Sequence, residues 1–388
     1  MSEKIGVVLL NLGGPDSLDA VEPFLYNLFC DPDIIDFPGA FLFRKRLAKI
    51  ISTRRTPMVC DQYVKIGGKS PLKEHTLKQA SLLEATLSEK FPAKVYAAMR
   101  YWRPTTEETL EHIEKDGIKK VILLPLYPQY SKATTGSSVK EWYKELGRRK
   151  ELDIETTVIE AYYDFPPFID AFIDRINEAI ARFPADEQHK IHLVFSAHGT
   201  PMKLVRRGDP YSRQIRQTVD LIMQRGRYVQ KSSLCYQSKV GPLKWLTPST
   251  PDTIRQLAEN GVKHMVVIPV AFTSDHLETL FELGIEYHHV ATEVGVERFE
   301  VTAGLNDSPI FIHALSQLVL QTIGIDQQLL QHIDEQARGD HWRRHLGFND
   351  RLSREKIRSG DYGLRSYESA WGQYTNRQPR WLHFRGRS

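Results

Sequence analysis

The chain has 388 residues, 41% hydrophobic and 26% charged, with a net charge of +4. Single cores stop growing near about 250–300 residues, so two core-bearing domains are expected, and no apolar run approaches the roughly 20 residues that cross a bilayer. From Gln336 to the end 12 Arg/Lys stand against 5 Asp/Glu, which leaves the preceding body slightly acidic and argues against a nucleic-acid partner.

In chain order, Met1-Ser-Glu-Lys leads directly into the strand-like Ile5–Leu10 without a signal-peptide pattern, so a cytoplasmic location is expected. The segment Phe41–Arg55 carries six basic residues and no acid, with Phe43, Leu47, Ile50 and Ile51 at helical spacing. That pattern suits a helix lying on an anionic membrane surface, or an ordinary basic surface helix. Further strands are expected near Lys94–Arg100, Val121–Leu126 and Thr156–Glu160, then near Ile191–Ala197, Ser232–Tyr236, His264–Val270 and Phe299–Ala303. Strands alternating with helical patterns argue for parallel sheets with right-handed crossovers.

The second set repeats the first. Thr109-Leu…Asp116-Gly-Ile-Lys-Lys-Val…Leu124-Pro-Leu matches Thr253-Ile…Asn260-Gly-Val-Lys-His-Met…Ile268-Pro-Val, and Ile5–Pro15 lies over Ile191–Pro201, which sets Leu12 opposite His198. The expected fold class is α/β: two similar open lobes, each a parallel sheet flanked by helices, facing each other across a cleft. Ligands of such sheets bind beyond the carboxyl ends of the strands. Leu12, Arg100, Tyr101, Tyr127, His198, Gln237-Ser-Lys239 and Phe272–Asp275 all fall there.

After the strand ending in Val270, Thr273-Ser-Asp275 reads as a helix N-cap, so a helix is expected from near Asp275. Glu278, Glu282 and Glu286 recur four apart, with His276 beside them and Leu277, Leu280 and Phe281 on another face. Like charges at that spacing repel, which is tolerable where water, protons or a cation lies between them. The ladder reads either as a solvated face or as a route for protons or a hard divalent metal. His198, directly after a strand, is either a structural hydrogen bonder or a base able to accept a proton near neutral pH. Gly13-Gly14 and Gly67-Gly68-Lys-Ser70 fit neither a Walker loop nor a dinucleotide fingerprint. Arg54, Arg55, Tyr63, Ser70 and Lys239 offer donors suited to carboxylates, and Phe24, Tyr127, Trp245 and Phe272 offer flat apolar walls. Cys30, Cys60 and Cys235 are odd in number and widely spaced, so neither a disulfide framework nor a structural zinc is expected.

Taken together, Leu10-Asn-Leu-Gly-Gly-Pro, Arg54-Arg-Thr-Pro, Ile66-Gly-Gly-Lys-Ser-Pro, Met99-Arg-Tyr, Leu126-Tyr-Pro-Gln-Tyr-Ser, Ser196-Ala-His-Gly-Thr-Pro, Arg207-Gly-Asp-Pro-Tyr, Gln237-Ser-Lys-Val-Gly-Pro and Phe272-Thr-Ser-Asp-His-Leu-Glu-Thr-Leu resemble the ferrochelatases over about residues 3–325. The resemblance implies two Rossmann-like lobes, bounded here at 1–165 and 166–335, with a porphyrin lip at 34–72; the basic segment 336–388 matches nothing in the family and, from its composition, is expected to be a poorly ordered extension. The resemblance also implies insertion of Fe(II), as substrate, into protoporphyrin IX at the last step of haem synthesis, with His198 and Glu278 as catalytic and metal-contacting residues. Asp275, His276, Glu282 and Glu286 fall on the family's proton or metal path. Leu12, Arg55, Tyr63, Ser70, Arg100, Tyr101, Tyr127, Lys239, Trp245 and Phe272 fall on porphyrin-binding positions.

Cluster-bearing members have a cysteine where this chain has Lys132, and Cys is absent from Gln336 onward, so no iron–sulfur cluster and no permanently bound cofactor are expected. Leu12 stands where coproporphyrin users tend to have Tyr, which favours protoporphyrin. The segment 41–55 matches the family's apolar lip and implies peripheral contact with the inner face of the cell membrane; a homodimer is left open. The competing readings are a two-lobed tetrapyrrole or metal carrier without chemistry, and a chelatase for another metal or ring.

Overall fold

The computed structural model describes residues 4–34, 40–239 and 243–324; the expected extension at 336–388 and part of the 34–72 lip lie outside them. Two four-stranded parallel sheets organise the chain. The first has the order β2-β1-β3-β4, from β1 (Ile5–Asn11), β2 (Ala93–Met99), β3 (Lys120–Pro125) and β4 (Glu155–Val158). The second repeats it as β6-β5-β7-β8, from β5 (His192–His198), β6 (Lys231–Gln237), β7 (His264–Pro269) and β8 (Arg298–Val301). All eight expected strands are present, with ends within two residues. Their apolar runs are covered on both faces, as parallel strands require: Val7 to Leu10 and Leu193 to Phe195 are at most 1% exposed.

The repeat extends to register and capping. Leu10 pairs with Pro125 and Ser196 with Pro269, so Leu12 and His198 occupy equivalent positions, as the sequence overlay expects. The helix Thr106–Lys115 is capped by the Thr105 side chain and Thr250–Glu259 by that of Ser249. Each is followed by a glycine in the left-handed region, Gly117 at φ +68° and Gly261 at +82°, where a side chain would be strained. One lobe packs Leu110, Ile113 and Trp142 beneath its sheet and the other Ile254, Leu283 and Tyr287. Both sheets belong to one compact unit that includes the described residues up to Ser316; Gln317–Gly324, the end of the helix Pro309–Thr322 and the two residues after it, belong to a second unit.

One local expectation is met and one needs correcting. The basic segment forms a helix, Ala40–Val64, with Phe43, Leu47, Ile50 and Ile51 on one face, and a different face meets the core. Ala48 and Ser52 are fully buried, with Ala48 in the cluster of Phe24 and Leu25, while Phe43 and Ile50 are 57% and 50% exposed. Small residues let this helix approach its neighbour closely, and the larger apolar groups are left outside. The acidic helix starts at Leu277, near the expected Asp275, but it is a π-helix over Glu278–Glu286, returning to α geometry at Tyr287–Glu293. With i→i+5 hydrogen bonding, residues four apart fall short of a full turn instead of overshooting it.

Cysteines Cys30 and Cys60 are half-buried and Cys235 is buried, all as free thiols.

Candidate active site

The site is built where the strands of both lobes end. His198 is the last residue of β5. The residue is half-buried, with its ring surrounded by protein, and this burial lowers its pKa from the ordinary 6.5; Glu278 and Glu282 oppose the shift, and His276 adds to it. The imidazole is therefore neutral near pH 7 and able to accept a proton. A line of rings leads away from it. Phe272 stands edge-on to His198 with centroids 6.2 Å apart and to His276 at 4.5 Å. His276 Nε2 lies 3.1 Å from Glu278 Oε2, and its Nδ1 is 2.9 Å from the carbonyl of Ser274.

The three glutamates run outward from this point. Glu278 and Glu282 are half-buried and Glu286 is exposed. Burial raises the Glu286 pKa, the charge of Glu282 raises it further, and Lys65 counters both. Lys65, Phe281, Glu286, His288 and His289 line an open groove at this outer end. Lys65 comes from the first lobe and sits 5.2 Å from the centre of the Phe281 ring.

The first lobe closes the inner end. Tyr63 and Ser70 are each 4% exposed. Burial and the negative charge of Glu278 hold the Tyr63 phenol protonated, against the effect of the Ser70 hydroxyl. Ser70 is clasped to the loop after β1 by its backbone bond to Pro15 (2.8 Å), and a Cβ on Gly14 would collide with its side chain. That close approach is the reason for glycine at this position. Leu12 is half-buried in the same cluster, and its carbonyl accepts from the Tyr101 N–H. The lobes are tied together by Thr273 donating to the Leu126 carbonyl (3.1 Å) and Gln79 donating to Ser274 Oγ (2.9 Å). Trp245 lies over Gly199, next to His198, and its Nε1 is buried with no hydrogen-bond partner among the described residues, while the buried Tyr127 hydroxyl has the Ser138 hydroxyl beside it.

Other nominated residues are engaged elsewhere. The Asp275 carboxylate accepts from Thr279, Asn306 and the N–H of Gly304, so it is turned into the loop after β8. Arg100 and Tyr101 are held by Asp31, whose Oδ2 accepts from Arg100 Nη2 (2.8 Å), Tyr101 Oη (2.7 Å) and Ser137 Oγ (2.5 Å). Burial alone would raise the Asp31 pKa, but the Ser137 hydroxyl, Arg100 and Tyr101 together hold it below the usual carboxylate range. Arg55 is half-buried over the Phe29 ring, and Lys239 is exposed. Sequence reasoning missed Asp31, Ser137 and Tyr287. A lone acid before a proline reads as a turn, and nothing local marks it as the centre of a buried network.

Two repeated parallel lobes with an imidazole and a graded line of acids at the strand ends define a chelatase-type protein. The solved structure of SirB from Bacillus subtilis with Fe3+ is similar in fold, with a TM-score of 0.50 at 12% identity, covering 83% of this chain and 96% of that one. The ferrochelatase family profile matches residues 4–323. The ferrochelatase of Aquifex aeolicus is 47% identical over 316 residues, covering 81% of this chain and 98% of the relative, and that of Gloeobacter violaceus 45% over 325 residues, covering 83% and 98%. Rice chloroplastic ferrochelatase-2 is 44% identical over 331 residues, covering 83% of this chain and 62% of the relative. The chain belongs to the ferrochelatase family.

Proposed function

We propose that the chain inserts Fe(II) into protoporphyrin IX to give protohaem, with His198 as the base. Metal insertion into a free-base porphyrin releases two pyrrole protons and strips water from the metal, so it needs a base beside the ring and an anionic track for the exchanged ions. The observation that carries this reading is the meeting of a neutral imidazole with a line of carboxylates whose exposure grows from Glu278 to Glu286. His198 accepts pyrrole protons and contacts the iron with Glu278, and His276, Glu282 and Glu286 carry the field along which protons leave or iron enters. Asp275 supports this track from beneath, fixing Thr279. Phe272 and Leu12 offer apolar walls, and the Tyr127 hydroxyl and Trp245 Nε1, the latter unpartnered among the described residues, offer donors. Tyr63, Ser70, Arg55 and Lys239 face the propionates; Arg100 and Tyr101 shape the wall behind them.

The proposal includes no iron–sulfur cluster, because Lys132 stands where cluster-bearing members have cysteine. Among the described residues no helix is long and apolar enough to cross a membrane. The outward Phe43 and Ile50 on the basic helix favour peripheral contact with the inner membrane face from the cytoplasm. The lobes at 1–165 and 166–335 are proposed as the domains.

Mixing the protein with protoporphyrin IX and Fe(II), or Zn(II) as an air-stable surrogate, and following the porphyrin absorbance bands tests the reaction. A carrier would leave the porphyrin unmetallated, with its free-base band pattern retained. Glu278→Gln is expected to lose about 10–100-fold in turnover while still binding porphyrin. Normal turnover in that variant would remove Glu278 from the mechanism.

A further inference from the structure

The middle acid of the ladder differs from its neighbours. Glu282 Oε1 accepts from the Ser238 N–H (3.1 Å) and Tyr287 Oη (3.0 Å), and Oε2 from Gln237 Nε2 (2.8 Å) and Ser238 Oγ (2.5 Å). A carboxylate offers about four lone-pair sites, so its capacity is filled. A passing ion can take an oxygen of Glu282 only by displacing one of these donors.

The donors are themselves fixed. The Gln237 amide, 2% exposed, accepts at Oε1 from Ser196 Oγ (2.8 Å), which lies 2.8 Å from Thr250 Oγ1. Its Nε2 also donates to the Glu278 carbonyl (3.2 Å). Both groups at Nε2 are pure acceptors, so a flipped amide would set oxygen against oxygen, and one orientation is enforced. Ser238 is held at φ +64°, a left-handed conformation uncommon outside glycine, which aims its N–H and hydroxyl at the same carboxylate.

We infer that Gln237 and Ser238 are positioning residues for metal insertion. They make Glu282 an immobile rung whose charge faces His198, and they pin the π-helix to the end of β6. The inference rests on the ladder reading and deepens it: Glu282 acts as a fixed charge, whereas the outer Glu286 lacks such a clamp among the described contacts.

The test uses the full chain with protoporphyrin IX and Zn(II), measuring kcat and both KM values, with thermal melts to confirm folding. Gln237→Met keeps the length and removes the donor, and is expected to lower kcat about ten-fold or more while porphyrin KM stays within about two-fold. Ser238→Gly removes the hydroxyl, keeps the N–H and suits the backbone, so it carries the test if Gln237→Met does not fold; a several-fold fall in kcat with unchanged porphyrin KM is expected. Glu282→Gln puts an amide NH2 against donors and is expected to cost at least about ten-fold more than Glu286→Gln. Wild-type kcat in both clamp variants, or equal losses in Glu282→Gln and Glu286→Gln, would overturn the inference. If Glu278→Gln is inactive while the clamp variants are normal, only the clamp fails; if Glu278→Gln is also normal, the ladder reading fails with it.

Discussion

The two lobes are nearly the same object up to the last residue of each strand, and they differ where the strands end. Leu12 and His198 occupy equivalent places, on sheets of identical order and register. Beyond that point the first lobe spends its charge internally, with Asp31 binding Arg100, Tyr101 and Ser137 in a buried knot. The second lobe instead sets ionisable groups in a line, from His198 through Glu278 to the exposed Glu286 at the edge of an open groove. A shared scaffold thus carries a wall in one copy and the proposed chemistry in the other, and the choice is made by a handful of side chains on loops held by rigid sheets.

That contrast can be broken most severely at His198. The His198→Ala variant is expected to lose about 10²–10⁴-fold in metal insertion while retaining porphyrin binding. Absorbance assays read the rate and quenching of protein fluorescence reads binding; near-normal turnover would make the second lobe as inert as the first.

The matching disruption of the first lobe should appear as instability. Asp31→Ala leaves the Arg100 guanidinium and two hydroxyls without their acceptor, and a cost of about 3–5 kcal/mol is expected in denaturant melts. Because the Asp31 pKa is lowered from 3.8, its contribution is present above that value and is lost as pH falls through the lower, folded value. A melt at pH 7 that matches the wild type would show the knot to be ornamental.

Protonation should separate the lobes more gently. Burial lowers the His198 pKa below 6.5, so as pH falls below 6.5 the unfolded chain takes up this proton first, and stability declines toward the folded value. The same shift places the acid limb of the kcat/KM profile below pH 6.5. An acid limb above pH 7 would contradict a buried neutral base.

The smallest expected effect is a null one. Adding Leu12→His to His198→Ala should restore no measurable turnover, since Leu12 sits in the apolar cluster of Phe24, Tyr63 and Tyr101 and not beside Phe272, whose ring stands between His198 and His276. Recovery would mean that an imidazole at either strand end suffices.

Much of this was legible in the sequence for a definite reason. Parallel strands buried on both faces must be apolar throughout, so β1, β3, β5 and β7 stand out as Val/Ile/Leu runs, and the repeated Gly117 and Gly261 mark equivalent helix ends. His198 was visible because a strand end is a place in the chain as well as in space. The π-geometry of Glu278–Glu286 was not, because spacing by four suits either helix type. Nor was the division of the basic helix, where Ala48 rather than Ile50 faces inward.

The sequence by itself determined the strands, their repetition, the family and which residue types end up at the strand ends, because these follow from local periodicity and chain order. The tertiary structure alone decided which acids are held and which are free: Asp31 locked among Arg100, Tyr101 and Ser137, Asp275 turned into a loop, Glu282 saturated by Gln237, Ser238 and Tyr287, and Glu286 left open. A carboxylate reads the same in sequence whether or not its lone pairs are filled. The donors that fill them come from segments up to 106 residues away, and only folding brings them within hydrogen-bonding distance.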